Sequence, residues 1–552
     1  MNKWFKSGTP WIWMTGGAVS VSLIMVIGLF VLIGWRGLSF FWPATVYEFD
    51  MVDSQGVHSN VIGEIYDSET VLKQQLVDAG ITGLEGRGDT LERYLIKVGN
   101  REYVELDFQW ILETTIAGRY VPANIVVLER TKNGNFYGYI KEIQENGKTL
   151  SFSPEQLEIE LAARLELTST LKAKENDLLK GDIGRINFEL ERIRLNQRKL
   201  NLEGTLTPEK IVELENQSQQ LRDEYLVLEK QLFAYRTEAQ RDSVVITDMT
   251  GRDVVMPMAK VLDFYLPNKM TFFEKVKHWF HQTAKFVSDD PREANTEGGV
   301  FPAIFGTVFM VMLMAVIVTP FGVIAAIYLH EYAPKNTITK FIRIAVINLA
   351  GVPSIVYGVF GLGFFVYIVG GSIDQLLYPE ALPSPTFGSP GVLWSALTLA
   401  ILTLPVVIVS TEEGLSRIPS TLREGSLALG ATKSETLWRI IVPMASPAIM
   451  TGLILAVARA AGEVAPLMLV GVVKMAPALP VDGNFPYLHL ERKFMHLGFH
   501  IYDVGFQSPN VEAARPLVYA TSFLLVTVII GLNLAAIAIR NNLREKYRAL
   551  EH

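Results

Sequence analysis

The stretch WIWMTGGAVSVSLIMVIGLFVLIGW, residues 11–35, holds no charged side chain. A helix of that length covers the ~30 Å hydrocarbon core of a bilayer. Lys3 and Lys6 precede it. The apolar run is longer than that of a cleaved signal peptide, and no small-residue cleavage site stands before Trp35. It therefore reads as an uncleaved first span, residues 1–36 forming a short cytoplasmic tail and that helix. Five further candidates follow, at about 301–328, 342–369, 392–410, 446–473 and 516–539. The fifth is long for one span, and Pro466 is placed to bend or interrupt it. The fold class read from this pattern is an α-helical polytopic membrane protein with six transmembrane helices.

The average composition of the 552 residues, 49% hydrophobic and 19% charged with net charge −7, conceals a division. Residues 36–299 carry 32 basic and 43 acidic side chains, a net −11, whereas residues 300–552 carry 16 and 14. Neither part has the basic excess of a nucleic-acid binder. The chain has no cysteine, which excludes disulfides, iron–sulfur clusters and Cys-ligated zinc. His496 and His500 could share a helix face, but no third ligand accompanies them, and no metal site is assigned.

Lys and Arg near span ends set orientation. An inside N-terminus places Lys335, Lys340, Arg343, Arg417, Arg423, Lys433, Arg439 and the tail residues Arg540, Arg544, Lys546 and Arg548 in the cytoplasm. The loop 370–391, on the opposite side, has no Lys or Arg. Arg36 and Lys474, Arg492, Lys493 and Arg515 of the loop 474–515 fit less well. The balance puts both termini in the cytoplasm (the tail being 541–552) and residues 37–299 outside it.

That external segment reads as an inserted α+β domain, with β-rich parts at about 95–150 and 243–265. Val104, Leu106, Phe108 and Trp110 alternate with polar residues as a half-buried strand does. Ile125–Glu129 and Phe136–Ile143 flank Asn133-Gly134, a hairpin signal. Between the β parts, at about 156–240, lie two helical stretches with heptad spacing. One carries Ile183, Ile186, Leu190, Ile193, Gln197 and Leu200; the other carries Ile211, Leu214, Ser218, Leu221, Tyr225, Leu228, Leu232 and Tyr235. Thr207-Pro208 reads as an N-cap followed by Pro at the first helical position. The expectation is an antiparallel coiled-coil hairpin, either a solvated arm or a docking surface, with Gly181 and Gly184 weakening the start of the first arm. At about 270–287, Phe272, Phe273, Val276, Trp279, Phe280 and Phe286 recur at helical spacing among Lys and His. That pattern suits an interfacial helix, or one packed on the β domain. Gly147-Lys148-Thr149 looks like a P-loop ending, but Glu142 stands where the motif needs Gly, so no ATP site is assigned and no cofactor is expected on this chain.

Two features carry chemistry. Between the fourth and fifth spans, within 412–445, stand Glu424-Gly425-Ser426, then Gly430, Ile440 and Pro443. An ordinary amphipathic loop helix would account for the pattern; so would a rigid helix that docks into a partner. Within the fifth span, near its middle, Arg459 and Glu463 lie four residues apart and so on one helix face. A charge at bilayer depth costs at least ~2.5 kcal/mol and so faces a protein interior or an aqueous path. The pair is either a buried ion pair locking helices together, or a guanidinium fork for an oxyanion with a carboxylate that holds or releases it. Gly452, Ala456 and Ala460 add a row of small residues that admits a neighbouring helix.

The first feature resembles the EAA loop of ABC-importer permeases, with Gly425 and Ser426 for its alanines and Val442 for its leucine. Residues 295–552 as a whole resemble the PstA family of phosphate ABC-transporter permeases. The stretches that carry the likeness are Asn295-Thr296-Glu297-Gly298-Gly299, Pro353-Ser354-Ile355-Val356, the EAA loop and Ala458-Arg459-Ala460-Ala461-Gly462-Glu463-Val464-Ala465-Pro466-Leu467. The resemblance implies an ABC importer permease of the bacterial inner membrane, with 300–540 as permease domain. It would pair with a second permease, an ATPase dimer that binds the ATP, and a periplasmic phosphate-binding protein. It further implies that Arg459 and Glu463 attend phosphate passage and that the EAA residues couple to the ATPase. The external insertion departs from the family's short form. Two other readings stand beside this one: a permease for another oxyanion or solute, and a membrane-anchored coiled-coil scaffold or sensor.

Overall fold

A computed structural model describes residues 7–52, 56–78, 84, 88–104, 107–508 and 511–548. Lys3, Lys6 and Leu106 of the sequence reading lie outside them. The chain divides into two compact units, Met1–Phe40 with Phe286–His552, and Phe41–Lys285.

In the first unit, six helices among the described residues are long and apolar enough to cross a membrane. They are Pro10–Ser39, Phe301–Tyr332, Ser354–Leu377, Val392–Ser416, Lys433–Gly462 and Ala514–Asn542. Small residues let these helices close on one another. A side chain at Gly37 would meet the Ala520 backbone at 2.7 Å, so the first span lies against the sixth. A side chain at Gly452 would meet Ser410 Cβ at 2.7 Å, which sets the fifth span against the fourth. Ala456 and Ala460, the rest of that small-residue row, are fully buried. The central core joins Met310, Met314 and Val318 of the second span to Ala396, Leu399 and Val407 of the fourth and Ala456, Val457 and Ala460 of the fifth.

Two spans differ from their expected bounds. The expected run 342–369 is two helices, Thr337–Leu349 and one beginning at Ser354, because Pro353 stands extended between them at φ −55° and ψ 135°. The expected 446–473 starts earlier, at Lys433, and ends at Gly462. Glu463 turns extended there (φ −82°, ψ 128°), and only a short turn, Leu467–Val470, follows Pro466.

The second unit holds two antiparallel sheets. Its strands are β1 Val46–Val52, β2 His58–Leu72, β3 Thr90–Lys97, β4 Phe108–Leu112, β5 Ile116–Tyr120, β6 Val126–Arg130, β7 Phe136–Glu145, β8 Lys148–Leu150, β9 Asp242–Thr247, β10 Asp253–Pro257 and β11 Val261–Tyr265. One sheet runs β4-β3-β2-β1-β5; the other runs β10-β9-β7-β6-β11, with β8 also on β7. β6 and β7 pair across Asn133-Gly134, both residues at φ 69°. The run Val104–Trp110 is not one strand: Val104 donates to the Asn100 carbonyl in a turn, and the strand starts at Phe108. Gly147-Lys148-Thr149 runs from the β7–β8 turn into β8, Asn146 and Gly147 taking φ 50° and 75° and Glu145 pairing with Lys148.

β8 and β9 both pair with β7, so everything between them leaves the sheet and returns to it. That excursion is helical. Ser153 and Gln156 form a capping box, and helix follows over Pro154–Asp177, a wide turn Leu178–Ile183, and Gly184–Leu202. The wide turn accommodates Gly181 without ending the helix. Gly204, at φ 68°, reverses the chain, and Pro208–Ala239 returns under a Thr207 cap. Arg236 pairs with Glu175 at 2.7 Å and Arg185 with Glu224 at 2.6 Å, which sets the arms antiparallel. Each heptad position named above is buried or half-buried. At the base, Leu157, Leu161 and Leu165 join the core of β6, β7, β9 and β10.

Candidate functional site

The break in the fifth span builds the first site. Arg459 occupies the last turn of helix Val442–Gly462 and Glu463 is its C-cap, so the pair stands at a helix end rather than midway along a span. The i,i+4 spacing still brings them together, Arg459 Nε lying 3.7 Å from Glu463 Oε1. That is an ion pair but longer than a hydrogen bond, so the fork is not bidentate on this carboxylate. The side chains are 33% and 21% exposed, neither sealed in the core nor fully open.

The stretch Pro353–Val356 arrives at the same place. Pro353 starts the third span, whose first turn buries Tyr357 and Gly358 and leaves Ile355 and Val356 exposed. A side chain at Gly358 would meet Pro466 Cα at 2.7 Å, so the two backbones touch just past Glu463. Tyr357 donates its hydroxyl to the Leu349 carbonyl at 2.5 Å. Two stretches a hundred residues apart in sequence thus meet beside the helix end that carries the Arg459–Glu463 pair. Tyr357 was not singled out by the sequence; its position four residues after Pro353 was the available signal.

The stretch Asn295–Gly299 has a different task. Pro291–Arg292 pairs with Glu297–Gly298, and Gly298 takes φ 86°. Buried Asn295 donates to the Lys474 carbonyl at 2.8 Å and to Asp503 at 3.2 Å, and Lys474 Nζ lies 3.0 Å from Asp503. Arg492 pairs with Asp482 at 2.6 Å. Two cations that fitted the charge rule poorly are thus neutralised locally. His496 and His500 are buried apart from any metal-holding group: His496 caps a short helix by accepting from Gly498 N, and His500 lies beside Thr521. Among the described residues no group of three or more His, Asp or Glu could hold a metal.

The second site follows the fourth span. Pro419 leads into helix Ser420–Ala428, Gly430 takes φ 89°, and Thr432 with Glu435 forms a capping box for Lys433–Thr436. A wide turn, Leu437–Ile441, carries the fifth span on from there into helix Val442–Gly462, with Pro443 in that helix's first turn. Of the expected residues, Glu424, Gly425 and Gly430 are exposed, Ile440 and Pro443 half-buried, and Ser426 buried. Ser426 Oγ meets Thr436 Oγ1 at 2.9 Å, locking the two short helices together.

The sequence reading missed what holds this unit and what it shows outward. Arg423 bonds the carbonyls of Leu415 and Ile418 and pairs with Glu331 at 3.0 Å, at the end of the second span. Lys433 Nζ donates to the Glu331 carbonyl at 2.6 Å. Around Glu424, the apolar side chains Leu427, Leu429 and Trp438 stand in the open, Leu429 at 91% exposure. The result is a stiff, clamped helical turn with an exposed apolar rim.

Comparison with known proteins adds four findings. The model of the family "Binding-protein-dependent transport system inner membrane component" matches residues 318–548. A "Probable ABC transporter permease protein YqgI" of Bacillus subtilis is 31% identical over 259 residues, covering 46% of this chain and 81% of that protein. A "Phosphate transport system permease protein PstA 1" of Mycobacterium tuberculosis is 35% identical over 245 residues, covering 44% of this chain and 71% of that one. Among solved structures, an inward-facing MetNI methionine ABC transporter chain aligns at a TM-score of 0.33 and 20% identity, over 44% of this chain and 94% of its own length.

Proposed function

The chain belongs to the PstA family of phosphate-transport permeases, multi-pass inner-membrane components of binding-protein-dependent transport, and we propose that it lines the path of inorganic phosphate in an ATP-driven importer. In this reading it forms the path with a second permease subunit, an ATPase dimer hydrolyses ATP on the cytoplasmic side, and a periplasmic binding protein delivers phosphate. Both termini and the loop 412–445 face the cytoplasm, and residues 37–299 face the periplasm. The clustering of Lys335, Lys340, Arg343, Arg417, Arg423, Lys433 and Arg439 supports that orientation.

The observation that carries the reading is Arg459, half-exposed at a helix break and 3.7 Å from Glu463. A planar guanidinium offers parallel N–H donors that match a tetrahedral oxyanion. Glu463 is near enough to neutralise the arginine between passages and too far to occupy its fork. Coupling falls to Glu424, Gly425, Ser426, Gly430, Ile440 and Pro443. Closure of the ATPase pair against the rim of Leu427, Leu429 and Trp438 would move the fifth span through the Leu437–Ile441 turn and the second through Glu331.

Replacing Arg459 with Ala tests this. Uptake of labelled phosphate should fall to background while the complex still assembles; Arg459→Lys should recover only part, since an ammonium cannot bond bidentately. Normal uptake by the alanine variant would refute a role in the pathway.

A further inference from the structure

The helix Phe272–Ser288 buries Phe286 and half-buries Val276 and Trp279, yet it leaves a second apolar face open. On its inner side Lys285 Nζ lies 2.7 Å from Asp263 and 3.7 Å from Glu129, and Gln282 donates to Glu129 at 3.4 Å. The His278 ring lies 4.3 Å from that of Tyr265. The opposite face carries Phe273, Lys277, Phe280, Ala284 and Val287, at alternating steps of four and three, all exposed. Phe273 is 83% and Phe280 63% exposed, and Phe272 beside them 67%. A surface helix in water points its apolar stripe inward. A continuous exposed stripe of this kind marks a surface that something else covers.

The chain itself indicates what covers it. At the helix's start, the Phe272 ring lies 6.0 Å from that of Trp42, three residues beyond the end of the first span at Ser39. At its end, the Phe286 carbonyl accepts from Val300 N at 2.8 Å, and the Asp289 carbonyl accepts from Phe301 N at 3.2 Å. Phe301 is the first residue of the second span. Both ends of the helix are therefore tied to chain that is entering or leaving the bilayer. We infer that this stripe is seated in the headgroup–acyl boundary of the membrane its own spans cross. Aromatic rings on one face, with Lys275 and Lys277 able to reach the phosphates, suit that depth. Glu274 is the one acid in a helix with three lysines, whereas residues 36–299 as a whole carry net −11.

The absence of cysteine permits a direct test on the full chain. Phe273→Cys, Phe280→Cys and Ala284→Cys are each spin-labelled in phosphatidylcholine–phosphatidylglycerol vesicles. Oxygen and a water-soluble nickel chelate then compete as relaxing agents. Ile24→Cys in the first span gives the lipid reference and Val227→Cys on the helical hairpin the water reference, both positions being exposed. The expected result is a shift toward oxygen at the three helix positions, in the direction of Ile24. Nickel accessibility equal to that at Val227 would overturn the inference. So would protection from both reagents, which would mean that a protein surface covers the stripe.

Discussion

Gly430 shows how a single residue sets the turn between helices Ser420–Ala428 and Lys433–Thr436. Its φ of 89° lies where a β-carbon costs about 1–2 kcal/mol, and an added side chain would meet nothing within 4 Å. The requirement is conformational, with no packing demand. Gly430→Asn should therefore retain most coupled ATPase activity in the assembled complex, since Asn tolerates this region, whereas Gly430→Val should lose much of it. Equal activity in the two variants would show that the turn is not held in this form. Arg459 obeys a different logic. In the proposed role its guanidinium must keep donors open, and its 33% exposure at a helix end is consistent with that.

At the level of elements, the helical hairpin separates into a base and an arm. Leu157, Leu161 and Leu165 belong to the sheet core, while Leu178, Ile183 and Leu232 form a cluster of their own further out. The Glu175–Arg236 pair at 2.7 Å brings the chain together just below that cluster. Deleting 178–236 should therefore leave the β domain's melting temperature and the transporter's uptake nearly unchanged. Failure of the complex to assemble would instead make the arm a subunit interface. Ile183, Ile186, Tyr225 and Leu232 repeat at one period in the sequence, and in the structure each is buried or half-buried. β1 and β2 were not recognised: only Val46 and Phe49 of Val46–Val52 are buried, and the far half of β2, Asp67–Thr70, is polar and largely exposed. The end of the fifth span was obscured for the opposite reason. Apolar sequence continues through Leu467–Val473, past the interruption that Pro466 signals, and the close approach of Pro466 to Gly358 of another span shows only in the structure. The pairing of Arg459 with Glu463 was legible from spacing; the openness of the site was not.

For the whole molecule, charge and apolarity are segregated by unit. The inserted segment's net −11 would repel phosphate at long range, so capture is better assigned to a separate binding protein, leaving the spans to conduct. A scaffold or sensor would need neither the clamped turn beside Glu331 nor a charged pair at a helix break, and the kinship with transport permeases agrees with that. The most direct measurement is uptake of labelled inorganic phosphate into vesicles holding this chain, with and without its co-purifying subunits and enclosed ATP. Accumulation that requires both the partners and ATP is the predicted result. A complete, ATP-hydrolysing complex that accumulates no phosphate, or carries a different solute in its place, would contradict the account.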